Sequence, residues 1–168
     1  MKNKIMECIE NRFSCRNFKD EAITKDELNQ IIKAGILAPT ACNFQPERIY
    51  VISNEDILLQ LKDVTKYTFN AKNIIVICYD ENVSWKRRLD NKEYGEVDAT
   101  IVATHMVLEA ESLGIGTCFV ASFDEAKLRK ILKLDENIKP VLMIPLGYPK
   151  EKGVPNSRKR IEDLVIYK

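Results

Sequence analysis

Two short segments carry residue types suited to holding a charged, flat ligand. Arg12-Phe13-Ser14-Cys15-Arg16 sets two guanidinium groups and a hydroxyl within five residues. The planar N–H fork of each Arg and the short hydroxyl donor suit a phosphate. Ala38-Pro39-Thr40-Ala41-Cys42-Asn43-Phe44-Gln45-Pro46 is a loop bracketed by prolines and carrying two amide side chains. Asn43 and Gln45 offer donors and acceptors to the edge of a heterocycle, which a phosphate does not need. One segment reads as an anion handle and the other as a ring reader. Together they look like a mononucleotide site.

Each candidate also has a plainer reading. Arg12 and Arg16 could be solvated surface arginines, and Ser14 could cap a local turn. Asn43 and Gln45 could stabilise a proline-bounded loop. Arg158-Lys159-Arg160 is either a solvated basic run or a second grip on the same phosphate, with Arg158 the preferred ligand. Without interleaved aromatics the run makes a poor nucleic-acid patch. His105, the sole histidine, has only Glu109 as an acid at helical spacing and reads as a core or interface residue. Gly114-x-Gly116 follows a helical pattern and precedes a strand, the reverse of the Rossmann order, so it is no dinucleotide fingerprint.

Composition narrows the class. The chain has 168 residues, with 26 Lys plus Arg against 25 Asp plus Glu, so no global field draws it to nucleic acid or membrane. Length favours one domain spanning residues 1–168, with a substantial core. The five cysteines are odd in number and lack a C-x-x-C pair, so they read as reduced thiols without a disulfide, zinc or nucleophile context. Behind Met1-Lys2-Asn3-Lys4, Glu7 and Glu10 interrupt any apolar stretch, so neither a signal peptide nor a spanning segment is expected. The expected compartment is the cytoplasm.

The elements that must position these residues follow from periodicity. Ile5, Ile9 and Phe13 recur as one face of a short helix. Thr24-Lys25-Asp26-Glu27 has the form of a capping box and opens a helix through Leu28, Ile31, Ile32 and Ile36, which Pro39 stops. Ile49–Ile52 reads as a strand and Glu55–Leu61 as a helix. Ile74–Tyr79 has the pattern of a strand buried on both faces. The stretch 80–92 is polar and irregular, with Trp85 alone among charges. Val97–Leu113 is apolar almost all round, the pattern of a core helix, and in a chain this small it calls for cover by a second subunit. Strands near Thr117–Ala121 and Val141–Leu146 flank a helix through Leu128, Ile131 and Leu132, and Val165-Ile166-Tyr167 is a β-prone tail. The class is α+β.

Five motifs in order make the chain resemble the FMN-dependent nitroreductase family. Arg12, Ser14 and Arg16 match its R-x-S-x-R start; Ala38, Pro39, Thr40, Asn43, Gln45 and Pro46 match its A-P-S/T-x-x-N-x-Q-P loop. Leu113–Val120 resembles L-G-[LI]-G-[ST]-C-W-[IV], Pro145–Pro149 matches P-[LI]-G-Y-P, and Arg158–Val165 resembles the closing R-x-x-[LI]-E-[ED]-[LV]-V. The resemblance runs from about residue 8 to the C-terminus. It implies a central β-sheet flanked by helices, in an intertwined homodimer whose C-terminal strand is exchanged. It implies FMN held by Arg12, Phe13, Ser14, Arg16, Arg158 and Arg160, with Pro39, Thr40, Ala41, Asn43 and Gln45 at the ring, the two amides coming from the opposite subunit. Backbone N–H groups of Phe119, Val120, Ala121 and Ser122 would approach flavin N5. NAD(P)H would reduce the flavin, which would pass electrons by ping-pong exchange to a nitroaromatic, quinone or similar acceptor. A flavin-binding sensor or carrier, a flavin-free interaction module, and a flavin-destroying or dehalogenating relative are the alternatives. Glu47 stands where the family commonly has Trp, and Ala41 where Ser is frequent.

Overall fold

A strand that is β-branched on both faces needs cover on both sides, and that requirement organises the chain. In the computed structural model, which describes residues 3–168, β2 (Asn73–Asp80) is buried at every position. Met1 and Lys2, part of the N-terminal expectation above, lie outside the described residues. β1 (Glu47–Ile52) and β4 (Ile138–Gly147) flank β2, and the short β3 (Gly116–Thr117) follows, giving an antiparallel sheet in the order β1-β2-β4-β3. Ile75 and Ile77 pack toward Ile31 of α2 (Lys25–Ile36) and Val102 and Met106 of α4 (Gly95–Ser112). Ile74, Val76 and Cys78 pack on the other side with Leu61, after α3 (Glu55–Gln60), and Leu128 of α5 (Glu125–Leu132). Side chains alternate across a strand, so one run feeds two cores. Each large apolar side chain buried there contributes about 1.5–3 kcal/mol.

The expected capping box forms. Thr24 N–H and hydroxyl donate to Glu27 Oε2 at 2.9 and 2.6 Å, and Glu27 N–H donates back to Thr24 Oγ1 at 3.3 Å. The same carboxylate oxygen accepts the Tyr148 hydroxyl at 2.6 Å, which ties the start of α2 to the segment after β4.

Three expectations need correction. Helix α1 (Lys4–Asn11) ends before Phe13, whose ring lies instead against Gly153 of the C-terminal segment. The strand expected near Thr117–Ala121 is shorter, resuming only as a bridge between Val120 and Met143. Trp85 is not alone: its ring meets Tyr94 edge-on at 5.1 Å, and Arg87 donates to the Tyr94 hydroxyl at 3.0 Å. The β-prone tail, expected to pair with a partner's sheet, forms no strand within its own chain among the described residues. A 3₁₀ turn at Ile161–Asp163 precedes it, and Ile166 is 83% exposed.

Helix α4 has a buried side and an uncovered one. Val97, at 45% exposure, lies on the outward stripe with Thr100 and Thr104. The two threonine hydroxyls donate to the carbonyls of Glu96 and Thr100 at 2.7 and 2.8 Å, so they spend their polarity on the helix itself. Among the described residues no helix is long and apolar enough to cross a membrane.

Candidate functional site

Beyond Asn11 the chain runs extended along the edge of the sheet. Ser14 bridges Thr117, Cys15 N–H donates to Thr117 C=O at 2.8 Å, and Lys19 N–H donates to Tyr148 C=O at 2.8 Å. Alternate residues of an extended segment share a face. The R-x-S-x-R spacing therefore puts Arg12, Ser14 and Arg16 on one side and Phe13 and Cys15 on the other. The second side is closely fitted. A Cβ at Gly116 would fall 2.7 Å from that of Cys15, and one at Gly153 would fall 2.0 Å from the Phe13 ring. Any side chain at either glycine would lift the segment or push the C-terminal segment off it.

That crossing brings opposite ends of the sequence together. Arg12, Ser14 and Arg158 line one cleft of about 470 Å³, walled by Thr104 and Leu108 of α4 and by Phe119. Arg158 is braced there by donating to the carbonyls of Asn156 and Ser157 at 2.6 and 3.2 Å. Burial pushes the Glu111 carboxyl above its ordinary range, and the charges of Arg12 and Lys152 pull against that rise. A larger depression of about 560 Å³ beside α5 is lined by Lys127, Lys130 and Lys133, but Lys127 is already paired with Asp124 at 3.5 Å. Convergence of cations and a hydroxyl, not size, distinguishes the first cleft. Arg160 does not join it: its guanidinium lies 4.0 Å from Glu162 and 3.5 Å from Asp163.

Phe119 also lines a second cleft of about 260 Å³, so the two meet at that side chain. Arg16, Cys118, Val120, Ala121 and Ser122 line it, together with Tyr67 and Phe69. Burial raises the Cys118 thiol, against the opposing pull of Arg16 and Ser14, so it stays protonated at neutral pH and offers no nucleophile. The Val120 N–H is committed to Met143 C=O at 2.9 Å, so of the four expected amides this one serves the sheet. The Thr65 hydroxyl donates to Ser122 C=O at 2.7 Å and pins the segment from below.

The proline-bounded loop lies elsewhere in the chain. Pro39 and Thr40 lead into a 3₁₀ turn at Ala41–Asn43, and Cys42, Asn43 and Gln45 all adopt left-handed backbone, with φ of 52°, 57° and 51°. Non-glycine residues pay roughly 1–3 kcal/mol each for such backbone. Thr40 Oγ1 accepts the Gln45 N–H at 3.1 Å, and Gln45 Nε2 donates to Asn43 C=O at 3.2 Å. The Ala41 N–H donates to Asp98 Oδ1 at 2.9 Å. Asn43 and Gln45 are exposed and do not line the cleft that gathers Arg12 and Arg158.

The nitroreductase family profile matches residues 9–73 and 61–148. The chain belongs to the nitroreductase family. A family protein from Clostridium difficile is 28% identical and superposes with a TM-score of 0.91, over 99% of this chain and 98% of that one. A Desulfovibrio desulfuricans protein provisionally described as a nitroreductase, solved in complex with FMN, is 26% identical with a TM-score of 0.89, over 100% and 98% of the two chains. An Archaeoglobus fulgidus protein provisionally named NADH dehydrogenase/NAD(P)H nitroreductase is 30% identical over 88% of this chain and 86% of its own length.

For a nitroreductase, three residues of interest escaped the sequence reading. Tyr67 and Phe69 reach the second cleft from a turn that carries no motif weighed above; the Thr65–Ser122 bond and the Asp124 N–H donating to Val64 C=O at 2.9 Å bring that turn alongside. Asp98 sits inside a helix read as apolar almost all round. Its position in the first turn of α4, where a carboxylate favours the helix dipole, was the available signal.

Proposed function

We propose that this nitroreductase family member is an FMN-dependent oxidoreductase that takes reducing equivalents from NADH or NADPH and delivers them to nitroaromatic, quinone or similar electron-poor acceptors. One observation carries the reading. Arg12, Ser14 and Arg158, from opposite ends of the chain, face one cleft that meets a second at Phe119. That donor set suits a phosphate dianion, and the first cleft's volume falls in the range of small-molecule sites, roughly 300–1,000 Å³. Bound FMN supplies hydride chemistry, with donor and acceptor exchanging in ping-pong fashion over one ring face, so the protein need provide no acid or base. The chain's own work is to hold and orient. Arg12, Ser14, Arg16 and Arg158 take the phosphate end; Arg160, two residues on from Arg158, has its charge offset by Glu162 and Asp163 and would reach the phosphate only by leaving them. Pro39, Thr40, Ala41, Asn43 and Gln45 take the ring edge, and Phe119, Ala121 and Ser122 offer backbone beside Val120. Phe13 supports the phosphate segment from behind.

The same reading makes the working unit a homodimer in which Asn43 and Gln45 serve the cleft of the other protomer and the C-terminal tail crosses to extend the partner's sheet. Asp98, which anchors the loop, and Thr104, which walls the cleft, are about 9 Å apart along α4 and about 120° apart around it. A single chain thus separates its two half-sites, while the outward stripe at Val97 and the exposed tail leave apolar surface for a partner. Residues 1–168 form one domain in this reading, working in the cytoplasm, where five free thiols persist. The test is anaerobic titration of the purified protein with NADH and with NADPH, followed by addition of a nitroaromatic or a quinone. Yellow protein that bleaches with a nicotinamide and recolours with the acceptor is expected. Protein that takes up no FMN overturns the reading; yellow protein that never bleaches makes it a flavin carrier or sensor.

A further inference from the structure

We infer that Asp98 is a positioning residue: a buried carboxylate that holds the loop 40–45 in the conformation presenting Asn43 and Gln45 to the flavin ring. The inference rests on the FMN reading above. Three left-handed non-glycine residues crowd this loop, and such backbone persists only where its surroundings over-determine it. Most of its hydrogen bonds are internal: Asn43 N–H to Thr40 C=O at 3.0 Å, Phe44 N–H to Ala41 C=O at 3.1 Å, and Gln45 N–H to Thr40 Oγ1 at 3.1 Å. These close the loop on itself without attaching it to the body of the protein. Among the described residues, backbone groups of the loop attach it at two points. Downstream, Pro46 C=O accepts the Asp80 N–H at 2.8 Å, where the loop enters β1. Upstream, the Ala41 N–H reaches across to Asp98 Oδ1 at 2.9 Å. The Arg48 guanidinium also donates to Pro46 C=O, at 3.4 Å, from within β1; Asp98 instead brings a carboxylate from a separate helix, and a bond to a charged group is stronger than a neutral one.

The residue that does this is unusual for its surroundings. Asp98 is 2% exposed, and its Oδ2 is buried with no hydrogen-bond partner among the described residues. A buried carboxylate with a lone oxygen costs stability that an apolar residue in the same helix would not, so its retention calls for a task. Its address supplies one. Asp98 belongs to α4, the same helix whose Thr104 and Leu108 wall the phosphate cleft. The bond therefore ties the ring loop to the rod that also shapes the phosphate site, and fixes one half-site relative to the other.

The test uses the full-length protein, with Asp98→Ala, Asp98→Asn and Asn43→Ala, and reads amide hydrogen exchange at Ala41 without flavin and visible circular dichroism with FMN. Asp98→Ala should speed Ala41 exchange roughly tenfold or more and alter the flavin's dichroism as Asn43→Ala does. Asp98→Asn keeps an acceptor oxygen and should restore most of the dichroism, with exchange only several-fold faster. FMN-loaded Asp98→Ala with wild-type exchange and wild-type dichroism overturns the inference while leaving the cofactor reading intact. Wild-type protein that takes up no FMN overturns both. If Asp98→Ala does not fold, Asp98→Asn decides, and an unchanged Ala41 rate in it overturns the inference.

Discussion

The two halves of the candidate site are built on opposite principles. The phosphate end is a long-range construction: an extended segment after α1 bonded to β3 and to the residues that follow β4, with the C-terminal segment laid over it at Gly153. Its backbone is ordinary, and its precision comes from close packing against glycines. The ring loop is a local construction whose backbone is strained at three positions and held to the body through Asp98 and Pro46. A packed segment resists change in proportion to the volume inserted, whereas a strained loop depends on its few anchors. The two ends should therefore fail in different ways.

The largest effect is expected at the phosphate end. Charge-assisted contacts are worth about 1.5–3 kcal/mol each, so the double variant Arg12→Ala/Arg158→Ala should weaken FMN binding by more than roughly 100-fold. The two side chains share a cleft, so the two single losses need not add. Flavin fluorescence titration measures this, and unchanged affinity in both single variants would contradict the shared grip.

Next comes the packing beneath that grip. Gly116→Val puts carbon where Cys15 already sits and should destabilise the protein by about 1–3 kcal/mol, read as a lower urea midpoint. FMN affinity should fall with it, because Ser14 and Arg16 ride on the displaced segment. A variant with wild-type midpoint and affinity would mean that the segment floats free of β3.

The loop should respond to backbone chemistry instead of volume. Cys42 is exposed, so Cys42→Gly changes little but the cost of its left-handed φ, and the protein should be no less stable than wild type. Cys42→Val, β-branched at the same φ, should cost about 1–2 kcal/mol. Equal stability of the two variants would remove strain from the description of the loop.

The smallest effect concerns the clasp between the regions. The Thr24 hydroxyl, the Tyr148 hydroxyl and the Thr24 N–H all donate to Glu27 and hold its carboxyl below the usual range. A carboxyl lowered by folding adds stability above its unfolded pKa, about 4.3, and that contribution is lost as pH falls through the lower folded value. Glu27→Gln should therefore flatten part of the acid side of the urea-midpoint profile while leaving its neutral side parallel to wild type. An identical acid slope in the two proteins would deny the clasp a role.

The local devices were legible in the sequence and the long-range ones were not. The Thr24–Glu27 box and the doubly buried run at Ile74–Tyr79 are written in neighbouring residues, and both form. Phe13 continued the spacing of Ile5 and Ile9, yet a glycine some 140 residues away at Gly153 claims its ring. Trp85 looked isolated because Tyr94, itself bonded by Arg87, meets it only once the segment folds back on itself. In the site, alternation explains why Arg12, Ser14 and Arg16 share a face, but nothing near Tyr67 or Phe69 announces the cleft they line. Asp98 was hidden by its apolar neighbours, since periodicity weighs a helix by its majority.

The central claim is that the cleft joining the two ends of the chain grips the phosphate of FMN. Comparing FMN with riboflavin by calorimetric titration of the flavin-free protein tests it most directly, because the two ligands differ only by that phosphate. The wild type should bind FMN at least roughly 100-fold more tightly, and Arg12→Ala/Arg158→Ala should erase most of the difference by weakening FMN alone. Equal affinity of the wild type for FMN and riboflavin would contradict the account.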